Sequence, residues 1–403
     1  MRQMRQLRQT GRVGRIRRVI TAGLSGVAVA AVLVTPAGAA DAPGTDAPGT
    51  AARSAADRGQ AARATTTEPT AAAFGRSPLS WRLTESGSDA RFRGLAAVSR
   101  HTAWAAGTKG TVLRTVDGGR SWRDVSPAGA EALEFRDVEA FDARHAVVLA
   151  IGEGEASRVF RTSDGGATWT ESFRNTDPAA FYDCMTFFDR KHGIALSDPV
   201  GGKYRILSTA DGGRSWRVLS SAGMPAAQPG EAAFAASGQC LVSSGSRDAW
   251  IATGGAATAR VLHSADRGLT WKVAQAPIPA GDPARGVFGL AFRDARNGLA
   301  VGGDYRPGEP SPLTAATTRD GGASFTPAGQ QPPGYRSGVA WVPHTRTAAL
   351  AVGPTGSELT LDGGRRWHTF DTGSFDTVDC APDLGCWAAG EQGRIARLGL
   401  GGR

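Results

Sequence analysis

Thr115-Val116-Asp117-Gly118-Gly119-Arg120-Ser121-Trp122 is the stretch whose repetition decides the fold. It returns at Thr162–Trp169, Thr209–Trp216, Ser264–Trp271, Thr318–Phe325 and Thr360–Trp367. The aspartates fall at Asp117, Asp164, Asp211, Asp266, Asp320 and Asp362, with spacings of 47, 47, 55, 54 and 42 residues. An aspartate two residues before an obligatory glycine describes a tight hairpin. The carboxylate accepts N–H bonds from the turn that follows, and the glycine supplies a positive φ. The flanking hydroxyl residues tie the two strands together, and the tryptophan packs into the sheet. A period of 42–55 residues is the length of one four-stranded blade of a β-propeller.

A second motif, a short strand of small and apolar residues, precedes each hairpin. Its copies are Thr102–Gly107, His145–Gly152, His192–Ser197, Asp248–Gly254, Asn297–Gly302, Thr347–Gly353 and Gly385–Gly390. Seven such strands against six hairpins point to a shared blade at the chain ends. The last repeat stops before its fourth strand. Ser80-Trp81-Arg82 near the start looks like Ser121-Trp122-Arg123, a fourth strand without its own blade. Pairing the two removes both exposed sheet edges. The expectation is an all-β, seven-bladed propeller of four-stranded antiparallel blades over 77–398, closed by an N-terminal strand that completes the last blade, with 399–403 as a tail.

The formal charge of +9 does not indicate a nucleic-acid partner. Residues 1–40 hold seven arginines and no acidic residue, so the remainder carries 9 − 7 = +2. A basic stretch ending at Arg17-Arg18, an apolar run from Val19 to Val34 and Ala37-Gly38-Ala39 together read as a signal peptide over 1–40. The run is too short and too rich in alanine and glycine for a permanent membrane anchor. An exported protein is expected, secreted or held at the cell envelope, by general secretion or the twin-arginine route. Residues 41–76, rich in Ala, Pro and Thr without hydrophobic periodicity, read as a flexible linker. In an oxidising compartment Cys380 and Cys386, which flank a short turn, can close a hairpin disulfide. Cys184 and Cys240, on equivalent strands of adjacent repeats, can pair as well.

The hairpin motif resembles the Asp-box, or bacterial neuraminidase repeat. Over most of 77–398 the chain is similar to a family of exported bacterial proteins related to the photosystem II assembly and stability factor. Phe135-Arg136-Asp137-Val138, Tyr335-Arg336-Ser337-Gly338, the Asp-Gly-Gly boxes and the closing Trp387–Arg397 segment carry that resemblance. It implies a scaffold that grips protein partners through an arginine-rich face. Phe325 in place of tryptophan, and Arg366 in place of a hydroxyl residue, depart from the Asp-box pattern without threatening the fold.

The Asp-box aspartates lie a blade apart at outer hairpins and cannot converge on one substrate; they read as structural. His101, His145, His192 and His344 fall in one equivalent turn, which is repeat inheritance and not metal-ligand spacing, so no metal site is expected. No flavin, nicotinamide or phosphate-loop motif is present, so no cofactor is expected and oxidoreductase chemistry has no support. The starts of the innermost strands are more informative. Arg93, Arg136, Tyr182, Tyr335, Arg336 and Asp376 stand there as candidate ligand- or partner-binding residues at the channel mouth. Three long insertions, 221–235, 277–287 and 303–314, belong to the same face, where binding loops concentrate. The leading reading is a monomeric, non-catalytic binding or assembly module for a protein, or for an acidic or carbohydrate ligand, with no nucleic-acid partner. The alternative is a sialidase-like or xyloglucanase-like glycoside hydrolase. It needs Arg93, Arg136 and Arg336 to meet beside a Tyr–Glu pair, or two carboxylates to face each other across a cleft.

Overall fold

The computed structural model describes residues 79–400. The signal peptide, the linker and residues 77–78 and 401–403 of the sequence reading lie outside them. The described chain folds into seven four-stranded antiparallel sheets arranged as a ring, with only two one-turn 3-10 segments, Gly154–Ala156 and Ser221–Gly223. Blade 1 spans 92–124, blade 2 134–174, blade 3 182–218, blade 4 241–275, blade 5 285–327 and blade 6 338–371. Blade 7 is composite: Thr377–Cys380, Cys386–Ala389 and Ile395–Leu400 are completed by Leu79–Thr84. Among the described residues no helix is long and apolar enough to cross a membrane.

Closure follows the sequence reading closely. Trp81 pairs with Leu398 and Thr84 with Ile395 in antiparallel register. The ladder reaches Leu79↔Leu400, so Gly399 and Leu400 belong to the closing strand and not to a tail. Trp81 locks the seam to blade 6: its Nε1 donates to Ser357 Oγ at 2.9 Å. Its ring lies 5.5 Å from Phe375 and 5.9 Å from Phe370. Every blade therefore packs between two neighbours, and the third strand of blade 7 is paired along its outer edge by Leu79–Thr84.

The six aspartate hairpins repeat one set of bonds. In the first, Asp117 Oδ1 accepts from the Ser121 amide at 3.0 Å and Oδ2 from the Ser121 hydroxyl at 2.6 Å. The Thr115 hydroxyl donates to Asp117 and accepts from the Gly119 amide at 3.0 Å. In the sixth, Arg366 has no hydroxyl, and Asp362 keeps only backbone donors at that end. The second glycine of each hairpin has a positive φ, and at Gly119, Gly166 and Gly364 the adjacent blade also leaves no room for a Cβ. Gly166 has φ +84°, and a Cβ there would stand 2.5 Å from Val125 of the preceding blade. The hairpin tryptophans cross the same seam: Trp122 Nε1 donates to Thr84 Oγ1 at 3.0 Å, and Trp169 Nε1 to the Val125 carbonyl at 2.6 Å.

Both disulfides are formed. Cys380–Cys386 spans a Cα distance of 4.0 Å within blade 7, and Cys184–Cys240 links blade 3 to the segment leading into blade 4 at 6.0 Å.

Truncating Trp81 to alanine removes a buried indole from the closing seam, and substitutions of this kind cost about 3–5 kcal/mol. A Trp81→Ala variant is expected to lose about that much in urea unfolding. Hydrogen bonds from Ser121, Ser215 and Ser324 hold the Asp117, Asp211 and Asp320 carboxylates down at about 2. Their stabilising contribution is complete above the ordinary carboxylate range and is lost as pH falls through about 2. Melting temperature is expected to drop between about pH 4 and 2 by differential scanning calorimetry, and less steeply in Asp117→Asn.

Candidate functional site

The innermost strands share an irregularity that builds the channel mouth. In blades 1, 2, 3 and 5 the pairing of the first strand slips by one residue, between Phe92/Gly94, Phe135/Asp137, Tyr182/Cys184 and Val287/Gly289. A bulge leaves its extra residue out of the ladder and re-aims the side chain. The bulged residues are Arg93, Arg136, Asp183 and Phe288. Asp376, immediately before the inner strand of blade 7, reaches the same rim.

Arg93, Arg136, Tyr335 and Asp376 come together there. Asp376 receives Arg91 through two bonds of 2.6 and 2.7 Å, and Arg91 also reaches Glu391 at 2.7 Å. Arg136 is held by Glu134 at 2.7 Å and donates to the Ala235 carbonyl at 2.7 Å. Arg93 differs from both. Its nearest carboxylate oxygen, on Asp376, is 3.9 Å away, its Nε is buried without a partner, and its guanidinium makes no hydrogen bond to the described residues. Desolvation, and next the neighbouring Arg136 charge, pull its guanidinium down to about 10. Burial pushes the Tyr335 phenol up, while the Arg93 charge beside it works against that rise.

Arg336 and Tyr182 do not join them. Arg336 is fully buried and bonded to the equally buried Glu358, with a further bond from Nη1 to Thr355 Oγ1 at 3.0 Å. Tyr182 is buried against Phe173 at 5.4 Å, and burial pushes its phenol up to about 12. The two residues occupy the place that Phe92 fills in blade 1. A Cβ on Gly107 would meet the Arg91 carbonyl and the Phe92 ring; one on Gly353 would meet the Tyr335 carbonyl and Arg336. The residue before the bulge enters the seam between blades, and only the bulged residue faces the mouth. Arg93, Arg136 and Arg336 consequently form no triad, which removes the first of the two arrangements through which the glycoside-hydrolase alternative would work.

Sequence reasoning missed four contributors: Arg91, Phe234, Phe288 and Tyr305. Phe288 sits on the blade 5 bulge, stacked on Phe234 at 4.1 Å and edge-on to Tyr335 at 4.7 Å and Tyr305 at 6.0 Å. The repeated bulge position was the available signal, but without the ladder an aromatic at that position reads as core. Tyr305 and Phe234 come from the 303–314 insertion and from the chain just preceding blade 4. Tyr305 is 40% exposed and its amide donates to the Ala284 carbonyl, joining two of the insertions on one face.

The segment before blade 4 also closes the channel. The Ser237 hydroxyl donates to the Ser337 carbonyl of blade 6 at 2.7 Å, and Thr377 of blade 7 donates to the Ser237 carbonyl at 3.1 Å. The Gln239 amide accepts from Val339 N at 2.7 Å and donates to the Val378 carbonyl at 2.8 Å. Gly238 lies against Asp137, where a Cβ would stand 2.7 Å from the carboxylate. Beyond this plug, a cavity of about 310 Å³ is lined by inner-strand residues of all seven blades, including Asp137, Glu139 and Asp379. Burial raises all three carboxyl groups, Asp137 to about 8 and Asp379 to about 6. One end of the channel is thus arginine-rich and aromatic, and the other is carboxylic.

No protein-family model matches the chain, and no curated protein matches it in sequence. Solved structures do share the fold. YCF48 bound to D1 peptide superposes with a TM-score of 0.56 at 14% identity, covering 79% of this chain and 94% of that one. YCF48 from Cyanidioschyzon merolae gives 0.57 at 15%, covering 79% and 98%. The Pan2 WD40 domain of Neurospora crassa gives 0.53 at 15%, covering 78% and 90%. At these identities the likeness is one of fold.

The two classes of arginine separate in stability measurements. Arg336→Ala leaves Glu358 as a buried, unpaired charge and is expected to cost about 3–5 kcal/mol in urea unfolding. Arg93→Gln breaks no hydrogen bond and is expected to change stability by less than about 0.5 kcal/mol or to raise it. Asp137 has its folded pKa raised to about 8, so its contribution is favourable at low pH and is lost as pH rises through about 8. The melting temperature of Asp137→Asn is expected to fall less than wild type between pH 5 and 9, as read by scanning calorimetry.

Proposed function

We propose that this chain is an exported, non-catalytic binding or assembly module that holds a carboxylate-bearing segment of a protein partner at the arginine mouth. Arg93 carries the reading. A desolvated guanidinium with unused donors, set 3.9 Å from its nearest carboxylate, lowers its free energy by accepting an anionic ligand in the bidentate geometry that arginine favours. Arg91 and Arg136 are already bonded and frame the place. The proposal of export rests on the segment over 1–40. The reading of the hairpins as Asp-boxes rests on their sequence pattern and their shared bonding. A peptide-bound propeller of the same fold, YCF48 with D1 peptide, lends the mode of use and not the partner.

The test is capture from the cell envelope of the source organism by immobilised wild-type protein and by Arg93→Glu, across a salt series. A partner retained by wild type and weakened at least tenfold by Arg93→Glu is the expected result, because a hydrogen bond to a charged group contributes about 1.5–3 kcal/mol. Capture indifferent to Arg93, or turnover of fluorogenic sialosides or xyloglucan oligosaccharides by the purified protein, would overturn it.

A further inference from the structure

We infer that the mouth reads two features of its peptide at once: a carboxylate at Arg93, and an aromatic side chain two residues away against Tyr305 and Phe234. This rests on the binding reading above and specifies the ligand that such a site takes.

The same backbone irregularity that aims Arg93 and Arg136 into the mouth aims a phenylalanine there from blade 5. Phe288 itself is buried, because Phe234 stacks on one side of it and two tyrosines meet its edges. What the solvent meets is the outer layer, Tyr305 at 40% exposure and the half-buried Phe234. An apolar layer of this kind at a mouth otherwise made of charged groups marks a place for an apolar ligand group.

The wall joins the arginines at both ends. The Tyr335 ring touches Phe288 at 4.7 Å, while its phenol lies within the field of Arg93. At the other end Ala235, the residue after Phe234, accepts the 2.7 Å bond from Arg136. Tyr335 thus stands between the cation and the aromatic cluster. An extended peptide presents residues i and i+2 on one face, about 6.5–7 Å apart, so that neighbouring subsites can take both side chains. An aromatic side chain offers a large, rigid contact there at small entropic cost.

The wall is held in place before any ligand arrives. Asp304, buried next to Tyr305, accepts from Arg285 at 2.8 Å and from Arg306 at 2.5 Å. Arg306 also reaches Asp282 at 3.3 Å, which ties the 303–314 insertion to the 277–287 insertion. Hydrogen bonds from Arg306 hold the Asp304 carboxyl well below the ordinary range, so this brace persists across the neutral and mildly acidic range. An edge of the Phe234 ring abuts the backbone at Gly254 and Gly286, where a Cβ would meet it at 2.4 and 3.1 Å.

The experiment uses three labelled peptides with the purified full chain: acetyl-Ala-Phe-Ala-Asp-Ala-amide, the same peptide with Phe replaced by Ala, and the same with Asp replaced by Asn. Fluorescence anisotropy reads their affinities for wild type, Arg93→Gln and Tyr305→Ala. Wild type is expected to bind the first peptide about tenfold more tightly than either control, since burying one aromatic side chain contributes on that scale. Tyr305→Ala is expected to reduce the Phe-dependent ratio by about threefold or more while the Asp-dependent ratio survives. If both acidic peptides bind equally and Arg93→Gln weakens both, the aromatic subsite is refuted and the carboxylate site stands. If neither acidic peptide binds better than the Asn control, or Arg93→Gln changes nothing, the binding reading itself fails. Circular dichroism and urea midpoints of both variants exclude loss of fold as the cause.

Discussion

The hydrogen-bonded aspartate of each hairpin sustains the rest of the molecule. It fixes where the third strand of a blade turns into the fourth, and thereby where the tryptophan that follows enters the seam with the preceding blade. Blades in a ring have no independent core; each is stable only through two neighbours. A short polar turn at the rim therefore sets the spacing of an apolar interior several ångströms away. The glycine two residues after the aspartate has a positive φ in every hairpin, and in three of the six there is also no room for a Cβ against the adjacent blade.

Much of this architecture is legible in the sequence because it repeats. Six hairpins at blade length, seven small-residue strands and a fourth strand near the N-terminus determine blade number and closure without reference to any relative. The site is legible only in part, and the reason is a single residue of register. Arg93 and Arg136 follow a phenylalanine that goes into the seam, so the pattern Phe-Arg marks a mouth residue. In Tyr335-Arg336-Ser337 the same eye aligns the arginines, but it is Arg336 that replaces the seam phenylalanine and Ser337 that follows it. Tyr182 is misplaced by the same step. Periodicity carries strand existence well and carries a bulge badly, because a bulge is a break in periodicity.

The buried Arg336–Glu358 pair shows what that substitution demands. A guanidinium in a position built for an aromatic ring needs a carboxylate at equal depth, and Glu358 from the third strand of blade 6 supplies it. The mouth uses the opposite arrangement for Arg93, which is desolvated but left without a bonded acceptor. Two arginines at neighbouring positions of the motif thus serve opposite ends: one is satisfied and rigid, and the other keeps its donors for something outside the chain. Sequence alone does not separate them, since the partner of the first lies 22 residues away in the chain.

The segment from Ala235 to Cys240 has a mechanical meaning. A ring of sheets held only by neighbour contacts can flatten into an oval by small rotations at every seam, each costing little. Here a strut spans the hole: it is bonded to blade 2 at Arg136, to blade 5 at Leu290, to blades 6 and 7 through Ser237 and Gln239, and covalently to blade 3 at Cys184. Like spokes, these ties join five of the seven blades to one segment, so a distortion that moves those blades apart must stretch several ties together. The strut thereby favours a stiff template at the mouth over a flexible collar.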